Sequence, residues 1–265
     1  MEHFPQLSTG TIAQYPIVKM RHHRISLASG VDGRQWKLGD AAAGGQTWRL
    51  TLQGLTQEEW DAVEDLFVTC AGRLRPFTFL DPFDNLLAHS EDLGEAVWQA
   101  DPMLGLNSGS SDPMGTHRAT TITNAGQTPQ SIRQTLSVPS GLTYCLSLYV
   151  RSGQSTPVTL RVSAPGGVAE KIVAAGGDWQ RLSLTAALGA QGETVTFGLE
   201  LGAGAIVDVF GLQAEAQPGA SLYKKTMGSS GVHSDARFLR DELTVQADGV
   251  NSFSSVIEIR SPDKE

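Results

Sequence analysis

Tyr144-Cys145-Leu146-Ser147-Leu148-Tyr149-Val150-Arg151 is the stretch on which the fold turns. Leu146, Leu148 and Val150 alternate with Ser147, Tyr149 and Arg151. A period of two sends the aliphatic set to one face of a strand and the polar–aromatic set to the other. Such a strand needs a second layer to cover its apolar face. Alternating segments recur around it at Gln130–Val138, Val158–Ser163, Glu170–Val173, Trp179–Thr185, Thr194–Leu201 and Ile206–Gln213. Pro139-Ser140-Gly141, Pro165-Gly166-Gly167, Gly176-Gly177-Asp178 and Gly202-Ala203-Gly204 separate them as turns. Short strands at this spacing predict a β-sandwich or jelly roll. Gly105–Gly115, rich in Gly and Ser, reads as an ordered loop within it.

Further out the texture changes. Toward the N-terminus Ile25-Ser26-Leu27-Ala28 alternates, Gly30 and Asp32-Gly33 mark a turn, and Trp48, Leu50 and Leu52 alternate with polar neighbours. Thr56 and Glu59 then form a capping-box pattern, in which each side chain can satisfy an orphan amide at a helix start. Trp60, Val63, Leu66, Phe67 and Cys70 follow at three- and four-residue spacing, and Gly72 closes the helix. A further strand is expected over Leu74–Leu80. Near the other terminus Arg237–Ala247 and Ser252–Arg260 alternate around the hairpin signal Asp248-Gly249. A lone hairpin is marginal, so it should pair with an existing sheet. The economical arrangement joins residues 1–84 and 227–265 into one discontinuous β domain with a flanking helix. Residues 85–226 are then an inserted β-sandwich, and Lys224–Ser234 reads as the return linker.

Composition narrows the function classes. A net charge of −8 leaves no broad cationic footprint, which argues against nucleic-acid binding. Cys70 and Cys145 cannot build a disulfide framework and read as buried thiols of a chain that folds in a reducing compartment. Met1-Glu2-His3-Phe4-Pro5 lacks the basic flank and apolar run of a signal peptide. No apolar run reaches the roughly 18–20 residues that cross a bilayer, so no membrane insertion is expected.

Catalytic constellations are not evident. His22-His23 would point to opposite faces of one strand and cannot chelate one ion together. No Gly-x-Ser-x-Gly elbow occurs. Asp92, Glu95, Asp178, Glu200, Asp208 and Glu215 show no spacing that singles out a glycosidase pair. The chain therefore reads as a non-enzyme without cofactor, Asp92 or Asp208 being the only candidates to hold a structural Ca²⁺. Trp98, Tyr144, Tyr149, Trp179, Phe197, Phe210 and Tyr223 could offer flat faces to sugar rings. Trp98 and Trp179 read more readily as core rings, although both remain candidate carbohydrate contacts. Tyr149 and Arg151, sharing a strand face with Ser147, are the better candidates.

These residues carry two resemblances. Ile25-Ser26-Leu27-Ala28-Ser29-Gly30-Val31-Asp32-Gly33-Arg34, the Thr56–Gly72 helix and Gly72-Arg73-Leu74-Arg75-Pro76-Phe77-Thr78-Phe79-Leu80-Asp81 together resemble the distal tail proteins of long-tailed phages and gene-transfer particles. The resemblance implies a small β-sandwich or barrel flanked by one helix. It also implies a self-associating ring, hexameric in that family, between tail tube protein and tail tip protein at the distal end of a virion tail assembled in the host cytoplasm. The second spans Asn85-Leu86-Leu87-Ala88-His89-Ser90-Glu91-Asp92, Tyr144–Arg151, Val209-Phe210-Gly211-Leu212-Gln213-Ala214-Glu215 and Tyr223-Lys224-Lys225-Thr226. It is similar to the carbohydrate-binding-like jelly rolls of phage structural proteins, and implies a module for host-surface glycan. Two alternatives stay open: the sandwich is a spacer that binds no sugar, or the chain is a secreted glycan-active enzyme with an accessory binding module.

Overall fold

Thr56 starts the one long helix by the chemistry its sequence spells out. Its side chain accepts from the amide of Glu59, and the Glu59 carboxylate accepts from the amide of Thr56 at 2.8 Å, closing both halves of the capping box. The computed structural model describes residues 2–189 and 192–262, the side chains of residues 40–43 excepted. In chain order the elements are β1 (Ile17–Ser29), β2 (Gln35–Leu55), α1 (Gln57–Thr69), β3 (Phe77–Leu80), β4 (Gln99–Ala100), β5 (Leu104–Ser110) and β6 (Ala119–Asn124). They continue with β7 (Gln130–Leu136), β8 (Thr143–Arg151), β9 (Thr156–Ala164), β10 (Gly167–Ala175), β11 (Gln180–Ala187), β12 (Val195–Leu201) and β13 (Ile206–Glu215). The last are β14 (Val232–Phe238), β15 (Val245–Gly249) and β16 (Ser252–Pro262).

The chain divides into two compact units. One takes in Ile12–Phe79 with the described residues up to Ser8 and from His233 on; the other takes in Leu80–Val232 with Thr9–Thr11. The division falls a few residues outside the 84/85 and 226/227 boundaries read from sequence. Local hydrogen bonds explain this: the Asp81 amide donates to Gly231 O at 2.8 Å and the Gly231 amide to Asn85 O at 2.8 Å, tying both flanks into the second unit.

In the first unit β1, β2, β16, β14 and β3 form one sheet in that order, with β15 pairing β16. Leu50 lies opposite Ile257 and Trp48 opposite Ile259, so the last strand of the chain closes on one of the first. Trp48, Leu50, Leu52, Phe77, Phe79, Phe238, Ile257 and Ile259 are buried on one face. Trp48 meets Phe79 at 5.0 Å, and Phe77 meets Phe238 at 4.9 Å, between ring centroids. Trp60, Val63 and Leu66 of α1 are buried as well. Beyond Gly45, the last β2 residue paired with β16, β1 and β2 continue as a two-stranded ribbon to the turn at Gly30–Gly33. Its Ile25, Leu27, Trp36 and Leu38 are exposed.

Two expectations change here. The strand expected over Leu74–Leu80 begins only at Phe77, because the Leu74 and Arg75 amides donate back to Ala71 O and Cys70 O in the turn after the helix. The Arg237–Ala247 alternation is two strands, β14 ending at Phe238 and β15 starting at Val245.

The second unit is a sandwich of two antiparallel five-stranded sheets, β10-β9-β12-β7-β4 and β11-β8-β13-β6-β5. Its core is the inward half of each alternation: Leu146, Leu148 and Val150 of β8, Val207 and Val209 of β13, Val158, Leu160 and Val162 of β9, and Phe197, Leu199 and Leu201 of β12. Each such side chain contributes about 1.5–3 kcal/mol when fully buried. Gly211 sits at the β13 bulge with φ 65°, where a Cβ would come within 2.9 Å of the Tyr223 ring, so only glycine fits.

Two further expectations fail. Gly105–Gly115 is no loop over its first half: Leu104–Ser110 pairs with β6 as an edge strand, with an irregularity after Ser108. Lys224–Ser234 is no free linker. Gln213 Oε1 accepts from the Lys224 amide at 2.7 Å, Ser90 Oγ from the Thr226 amide at 2.9 Å, and Met227 O from the His89 amide at 2.8 Å.

Candidate functional site

The outer faces of the two sheets of the sandwich offer different chemistry. On the β8 sheet, register places Arg181, Tyr149 and Phe210 side by side, and next to them Arg151 and Asp208, with Thr121 beyond. Arg181 lies over the Tyr149 ring at 5.4 Å, and Tyr149 faces Phe210 at 6.1 Å. Arg151 donates to Asp208 Oδ2 at 2.9 Å and covers the Trp179 ring at 4.8 Å. Asp208 Oδ1 accepts from Thr121 Oγ1 at 2.6 Å. The structure thus brings Tyr149, Arg151 and Trp179 onto one surface.

Trp98 does not join that surface. It is buried, and its Nε1 donates to His89 O at 3.0 Å, a packing role. Trp179 departs from the core reading: it is half-buried beneath a guanidinium.

Asp112 frames this surface from one side. Its carboxylate accepts from the amides of Met114, Thr116 and Arg118 and from the Thr116 hydroxyl, folding residues 112–118 into a tight loop. Burial alone would raise its pKa, but these hydrogen bonds outweigh it and pull the group down to about 2. Arg118, so held, donates to Glu91 Oε1 at 2.7 Å and lies 5.3 Å from the Phe210 ring centroid. Every charge on this surface except Arg181 is therefore matched by an opposite charge within it. Asp208 is engaged by Arg151 and Thr121, and Asp92 accepts from the Gly94 amide. Among the described residues no group of three or more His, Cys, Asp or Glu could hold a metal ion, so the Ca²⁺ reading of Asp92 or Asp208 finds no ligand set.

The other sheet carries the feature that strand-by-strand reading missed. On β12, Thr196, Gly198 and Glu200 point away from the core. Gly198 lies opposite Arg133 of β7 on one side and Arg161 of β9 on the other. A Cβ at Gly198 would stand 2.8 Å from Ile132 O, so β12 and β7 approach here only because the position is glycine. The missing side chain leaves a depression of about 240 Å³ between the two arginines, lined also by Ser131, Ser163, Thr196 and Glu200.

Both arginines are held in place. Arg133 donates to Asp101 Oδ1 at 2.8 Å and to Ser131 Oγ at 2.7 Å. Arg161 lies 3.1 Å from Glu170 and 3.6 Å from Glu200. Burial raises the Asp101 pKa, yet hydrogen bonds from Ser131 and Arg133 leave it lowered, so its charge persists. The slot is thus lined by guanidinium and hydroxyl groups together with the Glu200 carboxylate, and each arginine is already engaged by a carboxylate, Arg133 by Asp101 and Arg161 by Glu170 and Glu200. That pattern matches neighbouring hydroxyls on a neutral ring better than it matches an anion. The volume lies below the roughly 300–1,000 Å³ that encloses drug-sized ligands, and suits a single ring seated against a face. Gly198 stands in the sequence as one small residue inside an alternating strand. A mid-strand glycine signals close backbone approach, but its flanking arginines become visible only with strand register.

No protein-family model matches the chain, and no curated protein matches it. Among solved structures it is similar to the enzymatically active domain of tailspike protein 4 of bacteriophage CBA120, at TM-score 0.41 and 9% identity over 52% of this chain and 22% of that one. It is similar as well to TmCBM61 in complex with β-1,4-galactotriose, at TM-score 0.39 and 16% identity over 49% and 97% of the two chains. A further similarity is to the CBM22-1 xylan-binding domain of Paenibacillus barcinonensis Xyn10C, at TM-score 0.41 and 15% identity over 52% and 97%.

Proposed function

We propose that the chain is a structural tail protein of phage type that acts by binding rather than turnover. Its first unit assembles with copies of itself into a ring, and its second unit binds neutral carbohydrate. The ring reading is carried by the β1–β2 ribbon. Both faces of the ribbon expose apolar side chains, among them Leu27 at 67% and Trp36 at 65%, and beyond Gly45 its two strands pair only with each other among the described residues. A two-stranded ribbon is marginal in water by itself, and a free strand edge invites pairing with another chain. Neighbouring copies supply that pairing, and six of them give the ring that the sequence resemblance implies, seated between tail tube protein and tail tip protein.

The carbohydrate reading is carried by the Gly198 depression, with an arginine on either wall and serine, threonine and glutamate side chains between them. Several weak sites on one ring gain avidity when they reach the same cell surface. Electron microscopy of the purified full-length chain tests assembly: closed rings are expected, and a monomer at every concentration would refute the ring. A glycan array with the same chain tests binding. Signal on neutral host polysaccharide, lost in Arg133→Ala/Arg161→Ala and kept in Tyr149→Ala, is the expected result. Silence across the array favours the spacer reading instead.

A further inference from the structure

The outer face of the β8 sheet holds a cation that no acid engages. Arg118 and Lys225 pair with Glu91, Lys224 with Glu215 and Arg151 with Asp208. Arg181 of β11 forms no ion pair among the described residues, and the acid nearest to it in sequence, Asp178, stands exposed in the turn before that strand. β11 is the edge strand of its sheet. Lys171 reaches the same edge from β10 of the other sheet, its Nζ donating to Ser183 O at 2.9 Å, and it too forms no ion pair among the described residues. Ser183 follows Arg181 by two residues, about 7 Å of strand.

Arg181 is nevertheless held still. Its guanidinium lies over the Tyr149 ring at 5.4 Å, Tyr149 packs on Phe210 at 6.1 Å, and Arg181 Nη2 donates to Ser147 Oγ at 3.1 Å. Nη1 makes no hydrogen bond among the described residues. Arg181 Nε and Trp179 Nε1, two residues apart on one face, find no acceptor either. Donors therefore exceed acceptors here, and a positive charge is left over. A guanidinium already fixed in place loses little freedom on binding, and its planar fork matches a carboxylate. The Gly198 depression differs in this respect, because both of its arginines are engaged by carboxylates of the protein.

We infer that Arg181, seated on Tyr149 with Lys171 beside it, anchors the carboxylate of an acidic sugar residue. This is a second glycan site, and it rests on the carbohydrate reading of the second unit. The two sheets of a sandwich pack about 10 Å apart with their outer faces turned away from each other, so the two sites take separate sugar residues. The guanidinium fork supplies the directional contact. Lys171 adds an attraction that salt screens.

Calorimetry of the full-length chain against oligosaccharides of polygalacturonate, alginate, hyaluronan and polysialate tests the inference. At least one of these should bind, more weakly as salt rises. Arg181→Gln should weaken that binding about tenfold or more, as expected for loss of a charge-assisted hydrogen bond. Tyr149→Ala should weaken it as well, because the guanidinium loses its seat, whereas Arg133→Ala/Arg161→Ala should leave it unchanged. Circular dichroism melts verify that each variant folds. Methyl esterification of the bound sugar keeps the ring, removes the charge and should cost as much as Arg181→Gln without any change to the protein. The inference falls, and the neutral site stands, if none of the four acids binds while a neutral glycan does, if Arg181→Gln or esterification leaves the affinity unchanged, or if dextran sulfate binds as tightly. Silence toward acidic and neutral glycans alike removes the carbohydrate reading itself.

Discussion

Asp112 shows how much one side chain can organise. Its carboxylate is the acceptor for three amides and a hydroxyl, and it places Arg118 over Phe210. Asp112→Ala would leave those donors unmatched at a buried site, at a cost of about 1–3 kcal/mol by urea denaturation at neutral pH. The pH dependence has a definite sign. The group titrates at about 2 in the fold against 3.8 as a free side chain. Its stabilisation is therefore complete well above pH 3.8 and is lost as the pH falls from there through 2. The parent chain and Asp112→Ala should converge in stability over that window, and a gap that stays constant down to pH 2 would contradict the assignment. Arg161 belongs to this scale too. Its ion pairs are half exposed, so Arg161→Ala should change stability by less than about 1 kcal/mol while weakening any sugar contact, and calorimetry against the array's best ligand separates the two effects.

At the scale of elements, local chemistry decided what could be read in advance. Thr56 and Glu59 announce α1 because a capping box is a contact between residues three apart. Thr56→Ala should cost about 1 kcal/mol, measured as a shift of the urea midpoint. Seven of the ten sandwich strands were legible for a similar reason, as where Leu146, Leu148 and Val150 alternate over a core that buries all three. Leu104–Ser110 escaped notice because an edge strand with much of its surface exposed needs little apolar patterning, and its Gly and Ser residues resemble a loop. Lys224–Thr226 was mistaken for linker because its partners, Gln213 and Ser90, stand far away in sequence. The candidate site divides along the same line. The polar–aromatic face of β8 follows from period two, whereas the slot at Gly198 requires knowing that Arg133 and Arg161 flank it from two other strands.

Over the whole molecule, the second unit carries its own core on two sheets and the first builds its sheet from both ends of the chain. Residues 80–232 expressed alone should therefore fold. Near-ultraviolet circular dichroism and a cooperative melt would show it, and a fragment without a melting transition would contradict the division. The pairing of Leu50 with Ile257 bears on biosynthesis. A ribosome finishes β2 well before β16, and the whole sandwich is translated between them. At roughly 5–20 residues per second the inserted sandwich has many seconds to fold first, while the N-terminal segment remains without its partner. A polypeptide stopped before β16 thus lacks the strand that Trp48 and Leu50 pair with, and its first sheet stays open at that edge.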